Sequence, residues 1–474
     1  MFGSRWKLHA IGWTLAVLAP GAAALAADGD FDPTFGDGGI ATIRPNGVDT
    51  VALVPLDALA LDDGKLLFAG AHHYLPPKNP PFETEARGML MRMNADGSAD
   101  ATFGNSDTEG VVVMPDLVPG TRLQSIESIA VLDDGSIVGV GSGVADAPPQ
   151  AFIVKLDANG ALDPGFGTGG ALLLPDSSLH AVAIDGEGRI VACGEQQENF
   201  IQTSVVVRVD GGALDATFGD GGIVAIDWAD TTQNGYLSDL ALTPDGHIIA
   251  GGRYAAYGPG LDSDYAIAKL ADDGTLDASF GDGGWRVFHD ESGTSTRNAI
   301  DRIALLADGR IVFAGNHGTG AAPMRGLTLG RLAPDGSTDT TFGDPSTPGF
   351  LHLDHVPDTP AIDATALAVQ SDGKLVVSAT YFSSSQDEQF LVFRATADGA
   401  LDTGFADGGF FELGLSPDGM QSDLRSMTLQ QDGAIVLGGR VMQALDPPLS
   451  DLVAVRLINA PGGGDAIFSD GFDG

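Results

Sequence analysis

Four side chains of three chemistries follow the glycine that closes similar apolar runs: Glu195 after VACG, Arg253 after IAGG, Asn316 after VFAG and Arg440 after VLGG. Aromatic or imidazole rings stand near such positions at Tyr74, Tyr254, Tyr257, His317, Tyr381 and Phe382. Rings stack on sugar faces, and carboxylate, amide and guanidinium groups hydrogen-bond sugar hydroxyls, so this set reads as a candidate ligand-binding surface. The plainer reading of the same residues is ordinary loop packing.

Other chemistry has weaker support. Asp28-Gly-Asp-Phe-Asp32 and Asp335-Gly-Ser-Thr-Asp339 space carboxylates as oxygen ligands are spaced, but neither completes an EF-hand loop. His72-His73 and His352-Leu-Asp-His355 lack the third ligand that zinc requires. There is no Gly-x-Ser-x-Gly elbow, no His-Glu-x-x-His and no phosphate-cradling Gly-x-x-x-x-Gly-Lys. No catalytic residue, metal ligand or cofactor is therefore assigned, with calcium at one or more turns left open for so acidic a chain.

The balance of 24 Lys+Arg against 64 Asp+Glu gives a net charge of −40, which repels nucleic acid and anionic membrane surfaces. The single cysteine, Cys193, lies in an apolar strand pattern and reads as a small buried hydrophobe.

The elements that must position these residues repeat. Versions of LDATFGDGG stand around Phe35, Phe103, Phe166, Phe218, Phe280, Phe342 and Phe405, at intervals of 68, 63, 52, 62, 62 and 63 residues. A fixed period of this kind marks a repeat architecture. Each loop is followed by a short strand such as Gly222-Ile-Val-Ala-Ile226, then by an apolar–small–apolar triplet. The triplets begin at Leu59, Ile129, Val182, Leu240, Ile303, Leu367 and Met427. An Asp-Gly turn follows in six of the seven units and Glu187-Gly188 in the third, a strong hairpin signal because glycine accepts positive φ. Two further strands complete the unit, and nothing of helical period lies between them.

Four short strands repeated about an axis describe an all-β chain folded as a single β-propeller of about seven four-stranded blades. The last unit lacks its outer strand, which the N-terminal strand near Ile40 can supply, closing the ring; an open solenoid is the competing arrangement. The phenylalanines read as packing pegs between blades. Strand alternation puts the Asp-Gly turns and LDATFGDGG loops on one face and the variable loops on the other, and varied loops on a rigid scaffold are where function usually sits.

The paired signatures LDATFGDGG and DGRIVFAGN resemble those of the delta-60 repeat proteins, exported bacterial chains of the β-propeller group. The resemblance spans Asp30 to Leu457, with local departures at Ala406 and Ala379, where glycines are expected. It implies a fold and export, and it implies no common activity.

Residues 1–26 read as a signal peptide: a basic start at Arg5 and Lys7, an apolar run from Ile11 and Ala24-Leu25-Ala26 for cleavage. Residues 27–458 form the repeat domain, and residues 459–474 a Gly-rich linker with a short acidic-aromatic tail. The expected protein is a monomer in the periplasm, at the cell surface or outside the cell, with no transmembrane segment in the mature chain. Its expected role is a non-catalytic binding or scaffold module for a polysaccharide or envelope protein. The candidate ligand-binding residues are Tyr74, Glu195, Arg253, Tyr254, Asn316, His317, Tyr381 and Arg440. The alternative is a carbohydrate- or lactone-active hydrolase or lyase, which requires acidic and basic side chains clustered at the channel mouth.

Overall fold

The computed structural model describes residues 27–44, 50–74, 85–104, 108–144, 149–198, 201–228, 234–255, 263–289, 298–318, 326–353, 362–382, 388–413, 422–445 and 448–459. The proposed signal peptide and C-terminal tail, and Tyr257 and His355, lie outside them. Among the described residues every regular element is a β-strand, and no helix is long and apolar enough to cross a membrane.

Seven strands begin the successive sheets: Thr50–Ala60, Leu123–Val131, Ser177–Ile184, Asn234–Leu242, Ala299–Leu305, Ile362–Val369 and Ser422–Leu429. We call these the inner strands of sheets 1 to 7. Each pairs antiparallel with the next strand in sequence, which pairs with the next again. Sheet 4 is representative, running Asn234–Leu242, Ile248–Ala255, Ser263–Leu270 and Trp285–Phe288 in that order. Four such sheets stand alone, sheet 3 gains a fifth short strand, Ala213–Leu214, and sheets 1 and 7 merge into one of eight strands. The merger rests on one parallel bridge, Ala52 with Ser450. Each inner strand touches the inner strand of the next sheet, and that of sheet 7 touches that of sheet 1. The outer strand of sheet 7 is Ile40–Ile43, which pairs antiparallel with Pro448–Leu457 in register from Ile40–Val455 to Ile43–Leu452.

The hairpin turns set the register. In sheet 1 Leu61 N donates to Lys65 O and Gly64 N to Leu61 O, both at 2.8 Å, and Leu132 and Gly135 repeat the pattern in sheet 2. Counting back from the turn, the triplet of sheet 1 that matches Ile129-Ala130-Val131 is Ala58-Leu59-Ala60, one residue earlier than the sequence pattern suggests. Its central residue is therefore a leucine, so a small centre is not common to all seven. Four residues before the end of every inner strand the register shifts by one, at Leu56, Glu127, His180, Ser238, Asp301, Thr365 and Arg425. Each is a β-bulge, which bends the strand and turns its extra side chain away from the ladder. The bulge also explains the recurring glycine of the second strand: a Cβ on Gly252 would lie 2.0 Å from the Tyr236 carbonyl oxygen.

Apolar contact runs between sheets. All seven repeat phenylalanines are buried, from 0% to 4% exposed. Phe218 of sheet 3 lies beneath the turn glycine Gly274 of sheet 4, whose added Cβ would meet the ring at 3.0 Å; Phe35 stands in the same relation to Gly97 of sheet 1. The pegs thus pack as the sequence suggests.

Beside each peg is an ion pair. Near the end of the third strand, one residue before its last or, for Arg208, two, stands Arg92, Lys155, Arg208, Lys269, Arg331, Arg394 or Arg456, and it faces Asp100, Asp163, Asp215, Asp277, Asp339, Asp402 or Asp32 of the following loop or, for the last, the first one. Seven of the aspartates thus serve the fold as partners of a cation.

Ala406 is the exception among the peg loops. It holds φ +43, where Gly36, Gly167, Gly219 and Gly281 hold +52 to +54. An L-residue there costs about 1–2 kcal/mol, offset in part by its smaller loss of entropy on folding. Ala406→Gly is expected to stabilise the protein by about 0.5–1 kcal/mol in a denaturant titration; an unchanged or lower midpoint would show that the loop tolerates alanine without strain.

Candidate functional site at the inner strands

All the bulged residues but Leu56, and all of those just after them but Ala181 and Ala366, are polar. All seven bulged residues are half-buried. One cavity there is lined from several sheets at once, by Asp57, Arg302, Thr365, Ser426 and Thr428 among others. Asp57 and Asp239 occupy the same position one residue past the bulge and do the same work. Asp57 accepts from its neighbour Ala58 N and from Ile129 N of the next sheet, both at 2.8 Å. Asp239 accepts from Leu240 N at 2.9 Å and Ile303 N at 2.7 Å. Arg302 crosses the next boundary, donating from Nε to Thr365 O at 2.9 Å and from Nη1 to Asp301 O at 2.7 Å.

Two polar groups lie beyond this girdle. In the first, His180 Nε2 meets Glu195 Oε2 at 2.7 Å, and the His180 ring stands 6.2 Å from that of Tyr236. Arg253 covers Tyr236, its Cζ 4.6 Å from the ring centroid. In the second, the Asn316 amide nitrogen contacts Asp363 Oδ1 at 3.2 Å and Asp301 Oδ2 at 3.5 Å, while Ala364 N donates to Asp301 Oδ2 at 3.2 Å.

Burial sets the electrostatics. It pushes Asp301 up to about 8, helped by the Asp363 charge and opposed by Arg302, the Ala364 amide and Arg253. Burial likewise raises Asp239 to about 7 against Arg302 and the two amides, and it raises Asp57. For His180 burial opposes the charged form, yet Glu195, through its hydrogen bond and charge, with Glu127 adding to it, holds the imidazole above its ordinary value. Burial lifts Tyr236 to about 12.

Asp239 has a measurable consequence. Its carboxyl rises from 3.8 to about 7 on folding, so between those values the folded state holds a proton that the unfolded chain has released. Its contribution to stability therefore falls as pH rises through that window, by up to about 1.4 kcal/mol per pH unit, and levels off above it. The unfolding free energy of the wild type, less that of Asp239→Asn, is expected to decline from about pH 4 to about pH 7. A flat difference would mean that Asp239 titrates at its ordinary value.

The residues singled out from sequence divide by strand parity. Glu195, Arg253 and Asn316 take part in the polar groups just described. Tyr254, His317 and Tyr381 come one residue later and so face the other side of their sheets. Tyr381 is 7% exposed and packs with Ile362 and Leu391, and Tyr254 lies against the apolar cluster of Trp228 and Leu237. His317 shares the Thr328 hydroxyl with His352, at 2.9 Å to each ring. Tyr74 donates to Glu85 Oε2 at 2.8 Å beneath the Arg87 guanidinium. Arg440 is half-buried near His73, which burial, then the Arg440 charge, holds down at about 4. The single polar surface read from sequence is thus two surfaces.

Sequence reading missed Asp57, His180, Asp239, Asp301, Arg302 and Asp363. The available signal was polar residues breaking the apolar run ahead of each triplet, as in Ile300-Asp-Arg-Ile303. The spaced carboxylates considered for calcium have other partners: Asp28 meets Arg394, Asp32 caps Thr34 and meets Arg456, Asp335 caps Ser337 and Asp339 meets Arg331. Among the described residues no three His, Cys, Asp or Glu side chains are placed to hold a metal together. Cys193 is fully buried, as its pattern suggests.

Residues 132–166, 243–280 and 370–405 match the model of a domain of unknown function described as DUF5122 beta-propeller. The matches share one phase, opening at the turn after an inner strand and ending on Phe166, Phe280 or Phe405. Three of the seven units match a β-propeller repeat family. The propeller match is one of architecture and carries no activity. A solved protein of unknown function from Dyadobacter fermentans is 15% identical, over 74% of this chain and 95% of that one, with a TM-score of 0.41. A mutant NanB sialidase from Streptococcus pneumoniae is 11% identical over 88% and 70%, with a TM-score of 0.39. Drosophila Semaphorin 1b is 10% identical over 90% and 87%, with a TM-score of 0.40. No curated protein matches the sequence.

Proposed function

We propose that the seven sheets are the blades of one closed propeller, exported and acting as a non-catalytic binding or scaffold module for a polysaccharide or an envelope protein. Closure is supported by the pairing of Ile40–Ile43 with the last strand and by inner-strand contact between sheets 7 and 1. The binding reading rests on one observation: Glu195, Arg253 and Asn316 come from three consecutive sheets and, with His180, Tyr236, Asp301 and Asp363, build two polar groups close enough for the Arg253 charge to act on Asp301 and those of Asp301 and Asp363 on Tyr236. Alternating donors and acceptors around half-buried rings suit a hydroxyl-rich ligand.

The same region favours a second reading. Carboxylates, guanidinia and an imidazole grouped at one end of the inner strands are what a hydrolase or lyase would need. A glycan array probed with the mature chain, residues 27–457, separates the readings. Selective binding that Arg253→Ala abolishes, with the glycan recovered intact, supports the binding module. Cleavage of the bound glycan supports the enzyme. An array with no selective binding would sink the polysaccharide reading and leave an envelope protein as the partner to seek.

A further inference from the structure

We propose, on the binding reading above, that Arg253 takes a sugar carboxylate and that the ligand of the polar region is therefore a glycan carrying uronic acid. Acids outnumber cations in this chain by 64 to 24, and each cation beside a phenylalanine peg has an aspartate of its own. Arg253 has none. Among the described residues it makes neither a hydrogen bond nor an ion pair. Its guanidinium instead lies over Tyr236, with Cζ 4.6 Å from the ring centroid. The Nε is buried without an acceptor while the side chain as a whole is half-buried, so the two Nη groups form the accessible end. Stacking fixes the plane of a guanidinium and leaves N–H groups at its edge, the arrangement that meets a carboxylate through two parallel hydrogen bonds.

The carboxylates of the region are already engaged. Glu195 meets His180 Nε2 at 2.7 Å, and Glu127 accepts from the Ser125 hydroxyl. Asp363 and Asp301 share the Asn316 amide nitrogen, at 3.2 Å and 3.5 Å, and Asp301 also accepts from Ala364 N at 3.2 Å. The Arg253 charge acts on Asp301, but burial pushes that acid up to about 8, so near neutral pH it is largely uncharged and does not neutralise the guanidinium. The group left without a counterpart is a cationic donor, and an anionic acceptor completes it.

The surroundings favour a sugar as the bearer of that acceptor. The His180 ring stands 6.2 Å from that of Tyr236, so the half-buried phenol is common to the imidazole and the guanidinium. Glu195 occupies His180 Nε2 and holds the ring above its ordinary value, which makes Nδ1 a further donor when the imidazole is charged. A ring among donors suits a sugar, which packs an apolar face and hydrogen-bonds through its hydroxyls. The net charge of −40 repels a densely charged polyanion, so the fitting glycan spaces its carboxylates among neutral sugars.

Calorimetric titration of the full mature chain tests this with an oligosaccharide that alternates glucuronate and N-acetylglucosamine, and with the same oligosaccharide after its carboxyls are reduced to alcohols. The acid form is expected to bind about tenfold or more tighter, as for hydrogen bonds to a charged group. Arg253→Gln should bind the two forms alike, and Arg253→Lys, which keeps the charge without the fork, should recover part of the preference. The comparison of ligands needs no variant, and thermal unfolding shows whether each variant is folded. Equal affinity of the wild type for the two forms, or a preference that folded Arg253→Gln retains, overturns the carboxylate site and leaves the binding reading standing. Failure to bind either form also overturns it, and a glycan array then separates the causes. Selection of a neutral glycan keeps the binding module with another ligand, whereas an empty array removes the polysaccharide reading as well. A glutamate-rich peptide that binds through Arg253 where neither oligosaccharide does overturns the glycan as the source of the carboxylate.

Discussion

Arg208→Ala is expected to destabilise the protein by about 3–5 kcal/mol, the range for breaking a buried pair by removing one partner. Arg208 is 2% exposed and its guanidinium is fully engaged. Nε donates to Asp215 Oδ2 at 2.7 Å, Nη1 reaches Asp272 Oδ1 at 2.9 Å and the Asp272 carbonyl, and Nη2 approaches Thr217 Oγ1. The plane also covers the Phe218 ring, with Cζ 4.6 Å from its centroid. Asp215 belongs to the loop of the same unit, whereas Asp272 belongs to the next sheet, so truncation loosens a turn and an inter-sheet contact together. Phe218 also loses the cover on one face. Arg208→Lys is the informative control, because Lys155 and Lys269 occupy this position in two other sheets. It should retain the Asp215 pair, lose the reach to Asp272 and cost less than the alanine variant. Denaturant unfolding of the three proteins decides the matter. Equal losses for Lys and Ala would mean that the planar fork, and not the charge, holds the loop.

Asp215 gives this staple a pH signature. Hydrogen bonds from the Thr217 hydroxyl and amide, then Arg208, hold it down at about 2 from an ordinary 3.8. A depressed carboxylate contributes stability above its unfolded value and loses it as pH falls through its folded value. Acid therefore weakens the staple between about pH 4 and pH 2, opposite in sign to Asp239, whose cost grows from about pH 4 to pH 7.

The architecture was legible because it is local and repeated. Asp-Gly turns, alternating strands and a buried phenylalanine are each fixed by neighbours a few residues away, and seven copies make the pattern plain. The cation–aspartate staple was equally available, since every third strand carries a Lys or Arg one or two residues before its last. The polar region was legible only in part. Glu195, Arg253 and Asn316 stood out because they break a repeat, yet Tyr254 and Tyr381 are adjacent to such positions and face the opposite side. Spacing in a strand carries parity, and proximity in sequence does not. The bulges were harder still. One extra residue per inner strand is invisible to a period-two pattern, yet it aims Asp301 and His180 inward; the one-residue offset in sheet 1 has another source, Leu59-Ala60-Leu61, which mimics the triplet one residue late.

Removing residues 27–44 is expected to lower the stability of the whole domain, not merely to fray one end. The segment supplies four rungs against Leu452–Val455, the buried Phe35 peg against sheet 1, and Asp32, the partner of Arg456. It also carries Asp28, whose carboxylate meets Arg394 of sheet 6 at 2.7 Å and whose carbonyl accepts from Ala406 N at 2.9 Å. Three sheets thus lose contacts with the loss of one terminal segment. In an open stack, stability is a sum of neighbour terms, so removing an end strand would cost only the last unit. In a ring, the same cut also weakens the junction between the first and last sheets, and every blade feels the opening. The truncated chain further leaves the Pro448–Leu457 strand with a bare edge, a template for pairing with another molecule. The closed ring therefore predicts one cooperative transition at a much lower temperature, together with self-association. A separate small transition above which most of the fold survives would favour the open stack. Phe35→Ala provides the measurement without a new edge: loss of a fully buried ring costs about 3–5 kcal/mol, and in the closed ring it should lower the single transition of all seven sheets together.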